Sequence, residues 1–322
     1  MEEKIMFPYT KVRIQHIQRV LSIVTLAAFL CLSLALISCK VIQKEFASPA
    51  DAVQALVTAL KTDNDKELVS VLGPEANELI YSGDEVADLT NRQKFLELYD
   101  EQNRIEADGD RFLLIIGKID WPFTIPLVKK GDRWVFDTAS GKEEILNRRI
   151  GRNELNTIKV LLAIVDAQRE FAMEDRDGDS LLEYALKFKS GPGKKDGLYW
   201  ESKEGEESSP LGELMANARV EGYGSEGAQN RPEPYHGYYY RILTAQGQNA
   251  AGGAYDYIVD GRMIGGFAAI AFPAEYDNSG VMTFIVNHDG KVYQKDLGKN
   301  TGELAKEIKL YDPDETWMPV QQ

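Results

Sequence analysis

The C-terminal half of the chain alternates short apolar runs with turn residues. Tyr235 to Leu243, Gly253 to Val259, Gly265 to Phe272, Val281 to Val286 and Lys291 to Leu297 are rich in β-branched and aromatic side chains. Asp260-Gly261, Asn278-Ser279-Gly280 and Asp289-Gly290 punctuate them. Short β-prone runs joined by tight turns predict consecutive antiparallel strands, a meander rather than a βαβ array. Such a sheet needs a cover on its apolar face. Asn153 to Met173 can supply it, with Leu155, Ile158, Leu162 and Val165 as a stripe and almost no helix breakers.

Upstream the period changes. Ser48 is a candidate N-cap, Pro49 a first helical residue and Asp51 a first-turn acid, after which Val53, Leu56, Val57 and Leu60 fall at helical spacing. A second helical set, Leu68, Val69, Val71 and Leu72, stops at Gly73-Pro74, and a third runs from about Thr90 through Phe95, Leu96 and Tyr99. Phe112 to Ile116, Phe123 to Val128 and Trp134 to Phe136 then read as strands, the last two joined as a hairpin through Gly131-Asp132. Pro122 and Pro126 make the middle strand an edge or a bulge. The polar stretch Thr138 to Gly151 is the expected domain boundary. The fold class is therefore α+β in two domains: helices then a hairpin over 48–140, and a long helix on a meander sheet over 150–312.

The first residues have a different character. Lys4, Lys11, Arg13 and Arg19 precede the apolar run Val20 to Ile37, which has the n-region and h-region of a signal peptide, expected over 1–38 with a tether over 39–47. The run also approaches the ~20 residues that span a bilayer, so an uncleaved anchor is the alternative, and both readings place the remaining chain outside the cytoplasm. Leu36-Ile37-Ser38-Cys39 resembles the bacterial lipobox. That resemblance implies lipidation of Cys39 and a membrane-anchored location on the periplasmic side of a bacterial envelope.

Composition narrows the chemistry. The only two cysteines, Cys31 and Cys39, both lie in the leader region, leaving no disulfide for the mature chain. A formal net charge of -14 argues against nucleic acid as a partner. With 43% hydrophobic and 27% charged residues, 322 residues are enough for about two packed domains.

Three constellations carry candidate chemistry. Asp175, Asp177 and Asp179 alternate as calcium ligands do, but an EF-hand loop needs Gly and Glu where Ser180 and Leu186 stand. A solvated turn before a helix over Ser180 to Lys189 is the favoured reading, and no cofactor is expected. Tyr235, His236, Tyr238, Tyr240 and Tyr255 could form a stacking face for sugars or peptides, although alternate tyrosines packing the core account for the pattern more simply. Tyr223-Gly224-Ser225-Glu226-Gly227 lacks the first glycine of a nucleophile elbow, and Gly191 to Lys195 lacks Walker spacing. No catalytic residue is assigned.

Several resemblances follow from these residues. Helices followed by Gly131-Asp132-Arg133-Trp134-Val135-Phe136 resemble the nuclear-transport-factor-like or cystatin-like cone, which implies a pocket for a small ligand, with a filled core as the favoured alternative. Ala167-Gln168 in a long helix, Gly266-Phe267, Phe272-Pro273 and Asp289-Gly290 are similar to the globular domains of type IV pilins and type II secretion pseudopilins. Gly151-Arg152-Asn153-Glu154, Asp196 to Trp200, Tyr235 to Tyr240 and Gly280 to Val286 together resemble the exported bacterial proteins grouped as domain of unknown function 2950, a resemblance that implies no activity.

Two functions remain in view. The favoured one is a non-enzymatic envelope lipoprotein that binds a protein or cell-wall partner; the rival is a periplasmic hydrolase or a binder of small ligands or glycans, using the cone pocket or the tyrosine face. The missing nucleophile-base pair favours the first. Replacing Cys39→Ser is expected to abolish incorporation of a radiolabelled fatty acid and to move the protein out of the membrane fraction. Unchanged labelling would overturn the lipobox reading.

Overall fold

The computed structural model describes residues 42–203, 205–224 and 233–321. The leader and Cys39 therefore lie outside the described residues. Helix α1 (Pro49–Lys61) starts as its sequence requires, with the Ser48 side chain accepting from the Asp51 N–H, and buries Val53, Leu56 and Val57. Helix α2 (Asp65–Leu72) is capped by Asn64 and ends at Gly73, whose φ of 94° suits glycine. A 3-10 turn (Pro74–Ala76) leads into the short α3 (Asn77–Ile80), and α4 (Glu85–Glu101) follows with Asp84 as its cap.

The first sheet comprises β1 (Asn103–Asp108), β2 (Arg111–Ile116), β3 (Trp121–Pro122), β4 (Leu127–Lys130) and β5 (Arg133–Phe136). Its order is β1-β2-β4-β5, with β3 also pairing β2. The expected strand over 123–128 is interrupted between the two prolines, where 123–126 belongs to no strand, as residues lacking an N–H at each end would produce. The β4–β5 hairpin sets Val128 opposite Val135, as its turn predicts. Strand β1 sits at an edge of this sheet and exposes Glu106 and Asp108. Leu56, Leu68, Leu114, Ile116, Leu127 and Phe136 form the centre of this upstream core.

Helix α5 (Thr138–Phe171) begins far earlier than its apolar pattern indicated. Its 34 residues span about 50 Å. The polar stretch Thr138 to Gly151, read from sequence as a boundary, is its first half, capped by Asp137 and seated on the upstream core through Ile145. Gly141 makes that seat feasible, because a Cβ there would come within 2.6 Å of the Thr124 carbonyl oxygen. The second half packs on a second core that includes Leu161, Ile164, Val165 and Phe171. From Gln43 to Gln322 the chain forms one compact unit containing both cores.

Helix α6 (Gly212–Val220) precedes the second sheet. That sheet contains β6 (Tyr238–Leu243), β11 (Ala268–Pro273), β12 (Met282–Asn287), β13 (Tyr293–Asp296) and β14 (Met318–Pro319), in the order β14-β13-β12-β11-β6. The antiparallel meander is present, but Tyr255 to Val259 is not one of its strands. That segment breaks into β8 (Tyr255–Asp256), paired with β7 (Ala245–Gln246), and β9 (Ile258–Val259), paired with β10 (Arg262–Met263). Between β8 and β9 the Tyr257 ring is fully buried and its hydroxyl donates to Gln246 Oε1 at 2.9 Å, so a side-chain anchor takes precedence over a continuous ladder.

Both faces of the sheet are covered. Tyr240 reaches Thr157 on α5, whereas Arg241, on the opposite face, donates to the Ala305 and Ile308 carbonyls at the end of α7 (Thr301–Glu307). Double coverage explains why Ala268 to Ala271 form an unbroken buried run rather than alternating. Two expectations need correction. The covering face of α5 centres on Thr157, Val160, Leu161, Ile164, Val165, Gln168 and Phe171, with Ile158 and Leu162 partly buried beside them as expected, while Leu155 is 63% exposed. Residues Ser180 to Lys189 form no helix, because the Gln168 amide engages both backbone groups of Ala185 and Tyr184 bridges to Met263.

This packing predicts an asymmetric response to truncation. Leu161→Ala should cost about 2–5 kcal/mol in urea denaturation, whereas the exposed Leu155→Ala should change stability by less than about 0.5 kcal/mol.

Candidate functional site

The upstream core has an apolar pocket on one side. Between α4, α5 and the first sheet lies a cavity of about 420 Å³, within the roughly 300–1,000 Å³ typical of small-ligand sites. It opens beside the buried apolar side chains of that core, among them Val53, Val57, Leu114 and Leu127. Leu56 and Leu68 come from α1 and α2, Phe95 and Leu98 from α4, and Trp121 and Phe123 from the region of β3. Helix α4 explains why space remains: it has no fully buried residue, although Phe95, Leu96, Leu98 and Tyr99 pack against this core. Phe95 meets Phe123 edge to face at 5.3 Å, holding the aromatic wall.

The polar part of the lining is basic. Arg92, Lys94, Arg148, Arg149 and Arg152 line the cavity with Asp88 as the acidic member. Arg92 is paired to Asp63 at 2.5 Å and Asp65 at 2.7 Å, and Arg148 to Glu144 at 2.6 Å. Arg149 is buried and donates to the carbonyls of Glu78 and Leu79 and to Asn278 Oδ1. Burial pushes its pKa down, and the Asp88 carboxylate opposes that shift. Burial likewise pushes the Asp88 carboxyl up, while the Ser82 N–H holds its charged form. Lys94 and Arg152 have no ion pair among the described residues.

A second polar cluster lies beside this seam. Asp84 is 1% exposed, and its carboxylate accepts from the Ala87 N–H, the Tyr223 hydroxyl and the Gly237 N–H at 3.0, 2.9 and 2.7 Å. Three donors satisfy the buried charge. His236 adopts a left-handed φ of 52°, and its Nε2 stands 3.6 Å from Glu221. Burial lowers the His236 pKa, with Glu221 and Asp84 opposing. Gly237 follows at φ 78°, where a Cβ would meet Asn153 Nδ2 at 2.6 Å.

The proposed tyrosine face is only partly assembled. Tyr235 stacks on His236 with ring centroids 4.0 Å apart, burial and then Glu221 push its pKa up to about 12, and its carbonyl lies 3.4 Å from the Tyr240 hydroxyl. Tyr238 is fully buried, donating to the Met282 carbonyl at 2.9 Å, so it presents no ring to solvent. Tyr255 sits apart on β8 against Tyr257. Asp175, Asp177 and Asp179 do cluster, with carboxylate oxygens within 4.8 Å of one another. Arg262 lies against Asp179 and 3.9 Å from Asp177, while the N–H groups of Gly178 and Ser180 donate to Asp175. Another cleft, about 740 Å³, opens near α6, but Arg176 and Lys195 lie against Trp200 and Arg219 against Tyr199, covering the rings a sugar would need.

Sequence reading missed Asp84, Tyr223 and Arg149. Asp84 carried a signal, since Asp before Glu85 and Val86 is a helix start. Arg149 carried none, lying in a stretch whose polarity imitates a linker.

The fold is thus α+β, with helices and a small sheet upstream of a doubly covered antiparallel sheet. Residues 43–320 match the family described as protein of unknown function (DUF2950), and the chain belongs to that family. No curated protein and no solved structure matches it, so the pilin-like and cone-like resemblances find no counterpart there.

The His236 environment predicts a pH effect. Its folded pKa lies below the unfolded value of about 6.5. The unfolded chain therefore binds the extra proton first, and stability is lost as pH falls from that value through the folded one. Urea midpoints measured from about pH 7 to pH 5 should decline less steeply in His236→Asn than in wild type.

Proposed function

We propose that this is an exported, lipid-anchored envelope protein that binds a small apolar ligand in the cavity between α4, α5 and the first sheet. The carrying observation is the cavity itself: about 420 Å³, walled by leucine and aromatic side chains, in a core whose remaining positions are closely packed. A filled core would gain dispersion contacts on every wall, so a hollow of this size has a stability cost that ligand occupancy offsets. The basic leader, the apolar run and Leu36-Ile37-Ser38-Cys39 support export and anchoring. Binding rather than catalysis is supported by the surroundings of His236, where no serine or threonine hydroxyl among the described residues hydrogen-bonds the imidazole.

A neutral fluorescent apolar probe, N-phenyl-1-naphthylamine, tests the reading on the full chain carrying Cys39→Ser. Saturable enhancement with one-to-one stoichiometry is expected. Ile145→Trp, which places an indole in the cavity from α5, should abolish it while leaving the melting transition cooperative. No saturable enhancement in wild type, or full enhancement in the filled variant, would reject the cavity as the binding site.

A further inference from the structure

The charges around the cavity do not match those of the chain. The whole sequence carries a net charge of -14, yet the ionisable lining is Arg92, Lys94, Arg148, Arg149 and Arg152 with Asp88. Packing accounts for some of these cations. Arg92 closes α4 onto Asp63 and Asp65, and Arg149 is consumed by two carbonyls and Asn278. Arg152 and Lys94 are different: both are solvent-exposed members of the lining, without an ion pair among the described residues.

Their placement is electrostatically unfavourable as it stands. Arg148 and Arg152 are four residues apart on α5, so they lie on one face a single turn apart. Glu144 neutralises Arg148 from the preceding turn and leaves Arg152 uncompensated. Arg152 also acts on Arg149 and His236, so its charge is felt at the seam on both sides. The neighbouring acid, Asp88, is turned inward to the Ser82 N–H. Asp63, Asp65 and Glu144 are engaged with Arg92 and Arg148, so the charges of Arg152 and Lys94 are the ones left to set a positive potential beside the apolar lining.

Building on the cavity-binding reading, we infer that the occupant is an amphiphile, with an apolar chain inside the cavity and an anionic headgroup, carboxylate or phosphate, held by Arg152 and Lys94 at its opening. The division of labour is physical: leucine and aromatic walls select the chain by its area removed from water, and the exposed cations select the head by charge. Ile119, 82% exposed and part of the lining, continues the apolar surface to the outside. It gives a chain a path inward that avoids the charged groups.

The test uses the full chain carrying Cys39→Ser, loaded with the neutral probe and titrated with hexadecanoic acid, hexadecyl phosphate and hexadecanol. The acid and the phosphate should displace the probe, with the alcohol about ten-fold weaker, the equivalent of one charge-assisted hydrogen bond. Arg152→Gln and Lys94→Gln should each weaken the acid several-fold, leave the alcohol unchanged and reduce the salt dependence of acid binding. Both residues are exposed, so the variants should fold as wild type. Equal affinity for acid and alcohol, or an acid affinity indifferent to both substitutions, would overturn the headgroup assignment while leaving the cavity reading intact. Failure of the neutral probe itself to bind would overturn both. Displacement by the phosphate alone, or by the acid alone, would support the inference and identify which headgroup the site takes.

Discussion

A buried guanidinium holds this chain together. Arg149, in the first half of α5, donates to the Glu78 and Leu79 carbonyls of α3 and to Asn278 of the β11–β12 turn. A charge in that position is tolerable only when its donors are satisfied, so the groups around it must keep their places together. Asn278 in turn donates to the Tyr81 carbonyl, Asn153 donates to the Ser279 carbonyl, and Glu154 accepts from the N–H groups of Val281 and Met282. One continuous helix therefore fixes the upstream core and the second sheet through a polar seam. Apolar packing alone would let two such surfaces slide; directional bonds to backbone groups set their register.

The hollow in the upstream core has a mechanical counterpart. Helix α4 is retained by polar groups: Asp84 at its start, Arg92 to α2 and the turn before it, and Lys61 to Asp100 near its end. Its apolar residues meet the cavity on one side, so it lacks the dense contact that immobilises α5. Elements with few buried contacts open at lower free energy than the rest of a fold. Helix α4 is thereby the element of this core expected to open at the lowest free energy.

Much of the architecture was legible in the residues, and the failures have identifiable causes. Caps at Ser48, the Gly131-Asp132 hairpin and the run Val281 to Val286 carry local signals strong enough to survive tertiary context. The first half of α5 carries no apolar stripe because it buries Gly141 and Arg149 instead of leucines, and a periodicity search cannot register contacts made through an absent side chain or a buried cation. Of the stripe, Ile158, Leu162 and Val165 do pack on the second core, whereas Leu155 looks apolar but points outward while Thr157 and Gln168, polar by composition, are buried and hydrogen-bonded. At the site, the tyrosines were conspicuous and Tyr238 proved to be core, whereas the cavity depends on residues from α1, α2, α4 and the first sheet that no linear spacing connects.

Strand β1 has a further consequence. An edge strand presents unpaired N–H and carbonyl groups, a template on which a neighbouring chain can add a strand. Here the edge carries Arg104, Glu106 and Asp108, with Arg104 paired to Glu106 and Asp120 and Asp108 paired to Arg111. A second copy approaching this edge would have to strip water from those charges and break their pairings before forming its first ladder bond. The same polar sequence that gives β1 a weak strand signal therefore guards the molecule against edge-to-edge aggregation.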